Sequence, residues 1–272
     1  YPRFRADGLG NMTKEELLQT TDLFLLDLDG TVYLDETPIG EMRETLARLR
    51  ACGKKLVYLT NNSSKTPDEY EIKLGRIGLW GEGDAVYTSA MAAIEYLSGR
   101  HAGARVHVLA TDAVRAQFAR AGIALDDETP EVCVLAYDVT LDFAKMKRFN
   151  EFLAGGAEYI ATHPDDVCPT AGVPMPDVGS FLALFERSSG RTPSVICGKP
   201  YTVMGACVAR AFGVPSGRTC MVGDRMHTDI RFGNANGMKS LLVLSGETTR
   251  ENMKNFPDQP DLVLESLNEI FK

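Results

Sequence analysis

Three apolar residues, Phe24-Leu25-Leu26, run directly into Asp27-Leu28-Asp29-Gly30-Thr31-Val32-Tyr33. An apolar run this short predicts a strand buried on both faces, as in a parallel sheet. Strand side chains repeat every second residue, so Asp27 and Asp29 point the same way at its carboxyl end. The same pattern also fits a strand that simply ends in an Asp-Gly turn. Residues 41–52 then predict a helix, with Leu46 and Leu49 on one face and Gly53 as its stop. Residues 55–59 predict a second strand, running into Thr60-Asn61-Asn62-Ser63-Ser64, and residues 66–74 a helix with Pro67 near its first turn. Such a βαβα alternation predicts half of a doubly wound parallel sheet.

A Gly-containing stretch, residues 75–83, reads as a hinge or linker, after which the alternation restarts. Helices are expected at 90–97, 113–121 and 142–153, and strands at 105–110, 132–136 and 159–161. Residues 162–180, punctuated by Pro and Gly, read as a long loop, and a helix from Phe181 leads back. The last third resumes the first pattern. Strands are expected at 194–197, 219–222 and 240–244, and helices at 201–212, 228–236 and 264–271. The reading is an α/β protein: a Rossmann-like, doubly wound parallel-sheet core formed by residues 1–82 and 181–272. An inserted α/β cap domain would span residues 83–180.

Composition narrows the function. The 272 residues are 44% apolar, enough for a substantial core, and carry a net charge of −8. An acidic chain with scattered Lys and Arg argues against a nucleic acid polymer or an anionic membrane as partner. An anionic substrate then needs local positive charge from a metal or a placed Lys. The six cysteines are at least ten residues apart and form no metal-ligand pattern, so they read as small buried thiols in a reducing, cytoplasmic setting. No apolar run approaches the roughly 20 residues of a membrane span, and no signal peptide is visible. Met12-Thr13-Lys14-Glu15-Glu16 is expected to be the natural start, with residues 1–11 a tag remnant.

Four strand-end signals come from the expected core and none from the insert: Asp27/Asp29, Thr60-Asn61-Asn62, Lys199-Pro200, and Gly223-Asp224 with Asp229. Parallel strands bring such ends to one edge of a sheet. Singly, each also reads as an ordinary turn or, for Asp229, as an acid in the first turn of a helix. Taken together, three Asp and one Lys without His or Cys suggest Mg²⁺, which leaves room for a substrate phosphate. Lys199 is a compact cation suited to a phosphate oxygen, and the Thr60/Asn61 turn can hold an anion. Asp27 fits a nucleophile that forms an aspartyl-phosphate, and Asp29 a general acid/base. Two acids in split roles need different environments. His227 reads as solvent-facing, and Arg225 as a partner for a nearby acid.

The segments Asp27-Leu28-Asp29-Gly30-Thr31-Val32-Tyr33, Thr60-Asn61-Asn62-Ser63-Ser64, Gly198-Lys199-Pro200 and Gly223-Asp224-Arg225-Met226-His227-Thr228-Asp229 together resemble the four motifs of haloacid dehalogenase-like hydrolases. Tyr33 and the Thr-Asn-Asn-Ser-Ser form resemble the NagD-like and 4-nitrophenyl phosphatases, which carry an α/β cap between motifs two and three. The resemblance implies a Mg²⁺-dependent phosphatase acting on a small phosphorylated metabolite. It implies Asp27 as nucleophile and metal ligand, and Asp29 as acid/base with its main-chain carbonyl on the metal. Asp224 becomes the third protein ligand and Asp229 a supporting acid. Thr60, Asn61, Asn62 and Lys199 become phosphoryl-binding residues, and residues 32–38 a flap. It further implies a homodimer through the cap. One position departs: His163-Pro164-Asp165 stands where the subfamily often has Asn-Pro-Asp. Two alternatives stand beside this reading. One is a phosphomutase or other phosphotransferase, whose cap falls between motifs one and two, where only about thirty residues separate Asp29 from Thr60 here. The other is a non-catalytic relative, which should have lost a catalytic acid.

Overall fold

A computed structural model describes residues 11–168 and 172–272. The suggested tag remnant therefore lies outside the described residues but for Asn11, as does the middle of the 162–180 loop. In chain order the elements are α1 (Lys14–Thr20), β1 (Leu23–Leu26), a short hairpin β2 (Tyr33–Leu34) and β3 (Thr37–Pro38), α2 (Met42–Ala51), β4 (Lys55–Thr60), α3 (Pro67–Arg76) and β5 (Ala85–Thr88). There follow α4 (Ser89–Arg100), β6 (Arg105–Leu109), α5 (Asp112–Arg120), β7 (Ala124–Leu125), β8 (Val132–Leu135), α6 (Phe143–Ala154), β9 (Glu158–Ala161), a two-residue pair β10 (Val167–Cys168) and β11 (Met175–Pro176), α7 (Val178–Ser189) and β12 (Val195–Ile196). The chain closes with α8 (Thr202–Phe212), β13 (Thr219–Gly223), a π-helical turn (Met226–Ile230), α9 (Arg231–Ala235), β14 (Lys239–Val243) and β15 (Leu262–Leu264).

The chain forms two compact units. The first comprises residues up to Leu59, with Glu71–Tyr87 and Val208–Lys272; the second comprises Thr60–Tyr70 and Thr88–Cys207. The sheet of the first unit has the order β15-β14-β13-β1-β4-β5. Pairing is parallel for β14–β15, β13–β14, β1–β13 and β1–β4. The chain moves from β1 toward β5 on one side and from β13 toward β15 on the other. Strand order therefore reverses between β1 and β13, the crevice where open α/β sheets bind ligands. Every residue of β1 is fully buried, which explains its unbroken apolar run.

The second unit has its own five-stranded sheet, β12-β9-β8-β6-β7, paired in parallel throughout. Its core gathers around Phe149, whose ring lies 4.7 Å from Phe185 and 5.6 Å from Tyr159, centroid to centroid. Three local expectations change. Residues 194–197 join this second sheet, because β12 takes its partners from β9 rather than from β1 or β13. The stretch 75–83 is packed, not a free linker: Leu79 is buried and Trp80 stacks on Tyr58. The expected closing helix is only a 3₁₀ turn, Leu267–Glu269.

Candidate active site

In the first unit the reversal point aligns two carboxylates. The register Leu26↔Val222 leaves Asp27 and Asp224 just past the ends of adjacent parallel strands. The Asp27 main-chain N–H continues the ladder, donating to the Val222 carbonyl at 2.9 Å. Asp229 arrives from the π-helical turn, a rare conformation that recurs at functional sites. One carboxylate oxygen each from Asp27, Asp224 and Asp229 lies within 4.8 Å of the others.

Two glycines make this convergence possible. A Cβ on Gly246 would sit 2.0 Å from Asp224 Oδ2, and one on Gly223 would sit 2.2 Å from Asp229 Cγ. Asp224 is held on both oxygens: Oδ2 accepts the Glu247 N–H at 2.7 Å, and Oδ1 accepts from the Thr31 hydroxyl at 3.3 Å. Asp229 accepts the Arg225 N–H at 3.2 Å. Arg225 Nε pairs with Glu247 at 3.1 Å, as expected of a partner for a nearby acid. His227 is exposed, with its ring stacked 6.1 Å from Phe256.

The electrostatics call for a cation. Burial, and secondarily the charge of Asp27, pushes the Asp224 carboxyl up to about 6. Clustered like charges resist ionisation unless a positive charge joins them. Three buried or half-buried carboxylates and no softer ligand are the donor set of a hard divalent ion. The residues present thus fit a metal site.

Asp29 stands apart from that cluster. Part of the residue is exposed, yet its carboxyl is pushed up to about 6. Desolvation is the largest cause; the Lys73 charge opposes it and the Asp27 charge adds to it. Asp29 leads into the β2–β3 hairpin, which coincides with the expected flap, and Lys73 Nζ lies 3.9 Å over the buried Tyr33 ring. An acid that titrates this close to neutral pH is suited both to give a proton and to take one back.

The second unit assembles the other expected residues. Thr60 ends β4, and its hydroxyl accepts the Asn62 N–H at 3.1 Å. Lys199 is 1% exposed and follows β12 by three residues, next to a cis Lys199-Pro200 bond. The Asn61 amide brackets its main chain. Asn61 Oδ1 accepts the Lys199 N–H at 2.8 Å, and Nδ2 donates to the Lys199 carbonyl at 2.9 Å. Both polar atoms of that amide are thus committed to the bracket. Asn62 Oδ1 accepts from the Ser64 N–H at 2.8 Å and from its hydroxyl at 2.7 Å, closing a local turn. The Asn61 and Asn62 side chains therefore shape the turn and hold Lys199. The sequence reading missed this bracket, which joins residues 138 positions apart.

The chain resembles known proteins over most of its length. A haloacid dehalogenase-like hydrolase profile matches residues 24–124, and a HAD-hydrolase-like profile matches residues 196–270. The chain is 31% identical to the 5′-nucleotidase YutF of Bacillus subtilis, covering 93% of this chain and 98% of the relative. Among solved structures, the 4-nitrophenylphosphatase of Thermotoga maritima superposes with a TM-score of 0.89 at 39% identity, covering 93% of this chain and 97% of that one. A glycerol phosphate phosphatase from Mycobacterium tuberculosis, solved with magnesium, gives 0.87 at 28% identity over 93% of this chain and 77% of that one. With its motif residues, its sheet order and these relatives in agreement, the chain belongs to the haloacid dehalogenase-like hydrolases, in their NagD-like 4-nitrophenylphosphatase branch.

Proposed function

We propose that the protein hydrolyses small-molecule phosphate monoesters with Mg²⁺, through a phosphorylated Asp27. The observation that carries this reading is the convergence of Asp27, Asp224 and Asp229 at the strand-order reversal. Asp27, Asp224 and the Asp29 main-chain carbonyl would hold the metal, with Asp229 supporting. Once bound, the cation would neutralise charge on the transferring phosphoryl and on the clustered carboxylates.

The chain's own residues then divide the work. An Asp27 oxygen attacks phosphorus as the bond from phosphorus to the leaving oxygen breaks, and Asp29 gives that oxygen its proton. Water next attacks the phosphorus of the aspartyl-phosphate and surrenders a proton to Asp29. Asp27 is released as a carboxylate, together with inorganic phosphate. Thr60, the main chain of the Asn61/Asn62 turn, and Lys199 would bind the phosphoryl oxygens. Residues 83–180 would act as the cap that selects the leaving group. A hairpin, α2 and β4 fill the segment between Asp29 and Thr60, which speaks against a cap there and so against a mutase.

Relatives bear the names of a 5′-nucleotidase and a glycerol phosphate phosphatase, so the leaving group is proposed only as a small alcohol, sugar or nucleoside. The wide spacing of the six cysteines, with no metal-ligand pattern, supports a reducing, cytoplasmic setting. No described helix is long and apolar enough to cross a membrane. A phosphomonoester panel with added Mg²⁺, then with EDTA, tests the reading. Phosphate release that EDTA abolishes is expected; no release from any ester, or release indifferent to EDTA, would overturn it.

A further inference from the structure

His163 departs from the Asn its subfamily often has, and the structure buries it completely. With Asp165 and Asp177 it forms a second group whose ligand atoms lie within 4.8 Å of one another. Each member is already engaged by this chain. His163 Nε2 lies 2.9 Å from Asp177 Oδ1, which also accepts the Val178 N–H at 2.6 Å at the start of α7. The Asp165 oxygens accept from the Asn61 amide at 3.2 and 3.3 Å. On the other side of the ring, Nδ1 lies 3.0 Å from the Thr162 hydroxyl and 3.3 Å from the Ser89 hydroxyl.

Those two hydroxyl residues lead to Lys199. The Ser89 hydroxyl donates to the Asn61 carbonyl, and Asn61 brackets the Lys199 main chain. The Thr162 carbonyl accepts the Gly198 N–H at 2.7 Å, and its hydroxyl lies 3.0 Å from Ser63 in the same turn as Asn61. Packing at Gly198 is tight: a Cβ there would lie 2.6 Å from Asn61 Oδ1, 2.7 Å from the Thr162 carbonyl and 3.0 Å from His163 Cβ. With Nε2 donating to Asp177, a neutral ring offers Nδ1 as acceptor to the Thr162 hydroxyl.

We propose that His163 is a positioning residue for phosphate binding: anchored by Asp177, it fixes through Thr162 the Asn61–Gly198 frame that aims Lys199. This inference rests on the phosphoryl-binding role proposed above for Lys199. Asn and Gln separate the two ends of the ring. An Asn amide reaches the position of Nδ1, whereas a Gln amide reaches that of Nε2. The arm to Thr162 is the one that matters here.

The test titrates inorganic phosphate into Mg²⁺-loaded protein by calorimetry, alongside KM and kcat for an aryl phosphate, metal content, and melting temperature. His163→Ala and His163→Gln should each weaken phosphate binding and raise KM about tenfold, with the Mg²⁺ activation constant unchanged. His163→Asn should stay within about threefold of the parent. Should His163→Ala fail to fold, Thr162→Val, which removes the hydroxyl that Nδ1 accepts from, carries the test, with the same loss of phosphate affinity expected. Unchanged phosphate affinity beside a lowered melting temperature would overturn the proposal, leaving His163 a packing residue. So would equal effects of Asn and Gln, or an extra metal ion in the parent that His163→Ala loses. A parent that binds phosphate but turns over no ester would sink the phosphatase reading alone, since the calorimetric comparison would still stand.

Discussion

The main-chain N–H of Asp27 donates to the carbonyl of Val222 at 2.9 Å, across the one place in the sheet where strand order reverses. That bond carries the β1–β13 ladder one residue past β1. It sets the proposed nucleophile beside Asp224, two residues beyond Val222. Each carboxylate is delivered by main-chain register, so its identity can be changed without disturbing the strand that holds it.

Asp27→Asn should therefore fold as the parent does and lose turnover by at least about 10³-fold, because the amide cannot form the phosphoenzyme. Circular dichroism and steady-state phosphate release check the two halves of that statement. Parent-like turnover by the variant would remove Asp27 from the mechanism.

Asp29→Asn should behave differently. Its carboxyl lies outside the cluster of three acids, so Mg²⁺ activation should stay near that of the parent. Loss of the proton donor should lower kcat by about 10²–10⁴-fold. The loss should be smaller for esters with acidic leaving groups, which need less protonation. A uniform loss across leaving groups would contradict the acid/base role.

Gly246→Ala tests the metal site from behind. The new methyl would meet Asp224 Oδ2 at 2.0 Å and must push the carboxylate aside. The Mg²⁺ concentration for half activation should rise by at least about tenfold. Gly99→Ala, in the last turn of α4 with nothing within 4 Å, is the control. It should leave activation unchanged and stabilise the fold by about 0.5–1 kcal/mol.

Arg50 and Asp84 form a two-pronged pair in the first unit, at 3.0 and 2.6 Å, and the Asp84 side chain is only 2% exposed. Arg50→Met strands that carboxylate and should destabilise by about 3 kcal/mol in urea unfolding. Adding Asp84→Leu should recover part of the loss, as removal of both charges leaves no unpaired carboxylate, although the Gly81 N–H loses its acceptor.

Much of this site could be read from the chain because its parts are strand ends. The run Phe24-Leu25-Leu26 must be doubly buried, and the acids that interrupt it must then lie at an edge. The Gly223-Asp224 and Asp229 signals are of the same kind, and Gly223 leaves the space that Asp229 fills. The clamp of Asn61 on Lys199 and the His163–Asp177 contact were not legible. Both rest on side-chain hydrogen bonds with no period or spacing to announce them. The sheet membership of β12 was hidden for a related reason: two residues carry too little pattern to choose a partner. The π-helical turn before α9 looked like an ordinary helix start, because its helical apolar spacing continues into Phe232.

The central claim is that Asp27 carries the phosphoryl group. Rapid quench of the Mg²⁺-loaded protein with an aryl phosphate, then borohydride reduction and peptide mass spectrometry, tests it most directly. Conversion of Asp27 to homoserine, dependent on substrate and missing with EDTA, is the predicted result. Reduction at a different carboxylate, with turnover intact, would contradict the account.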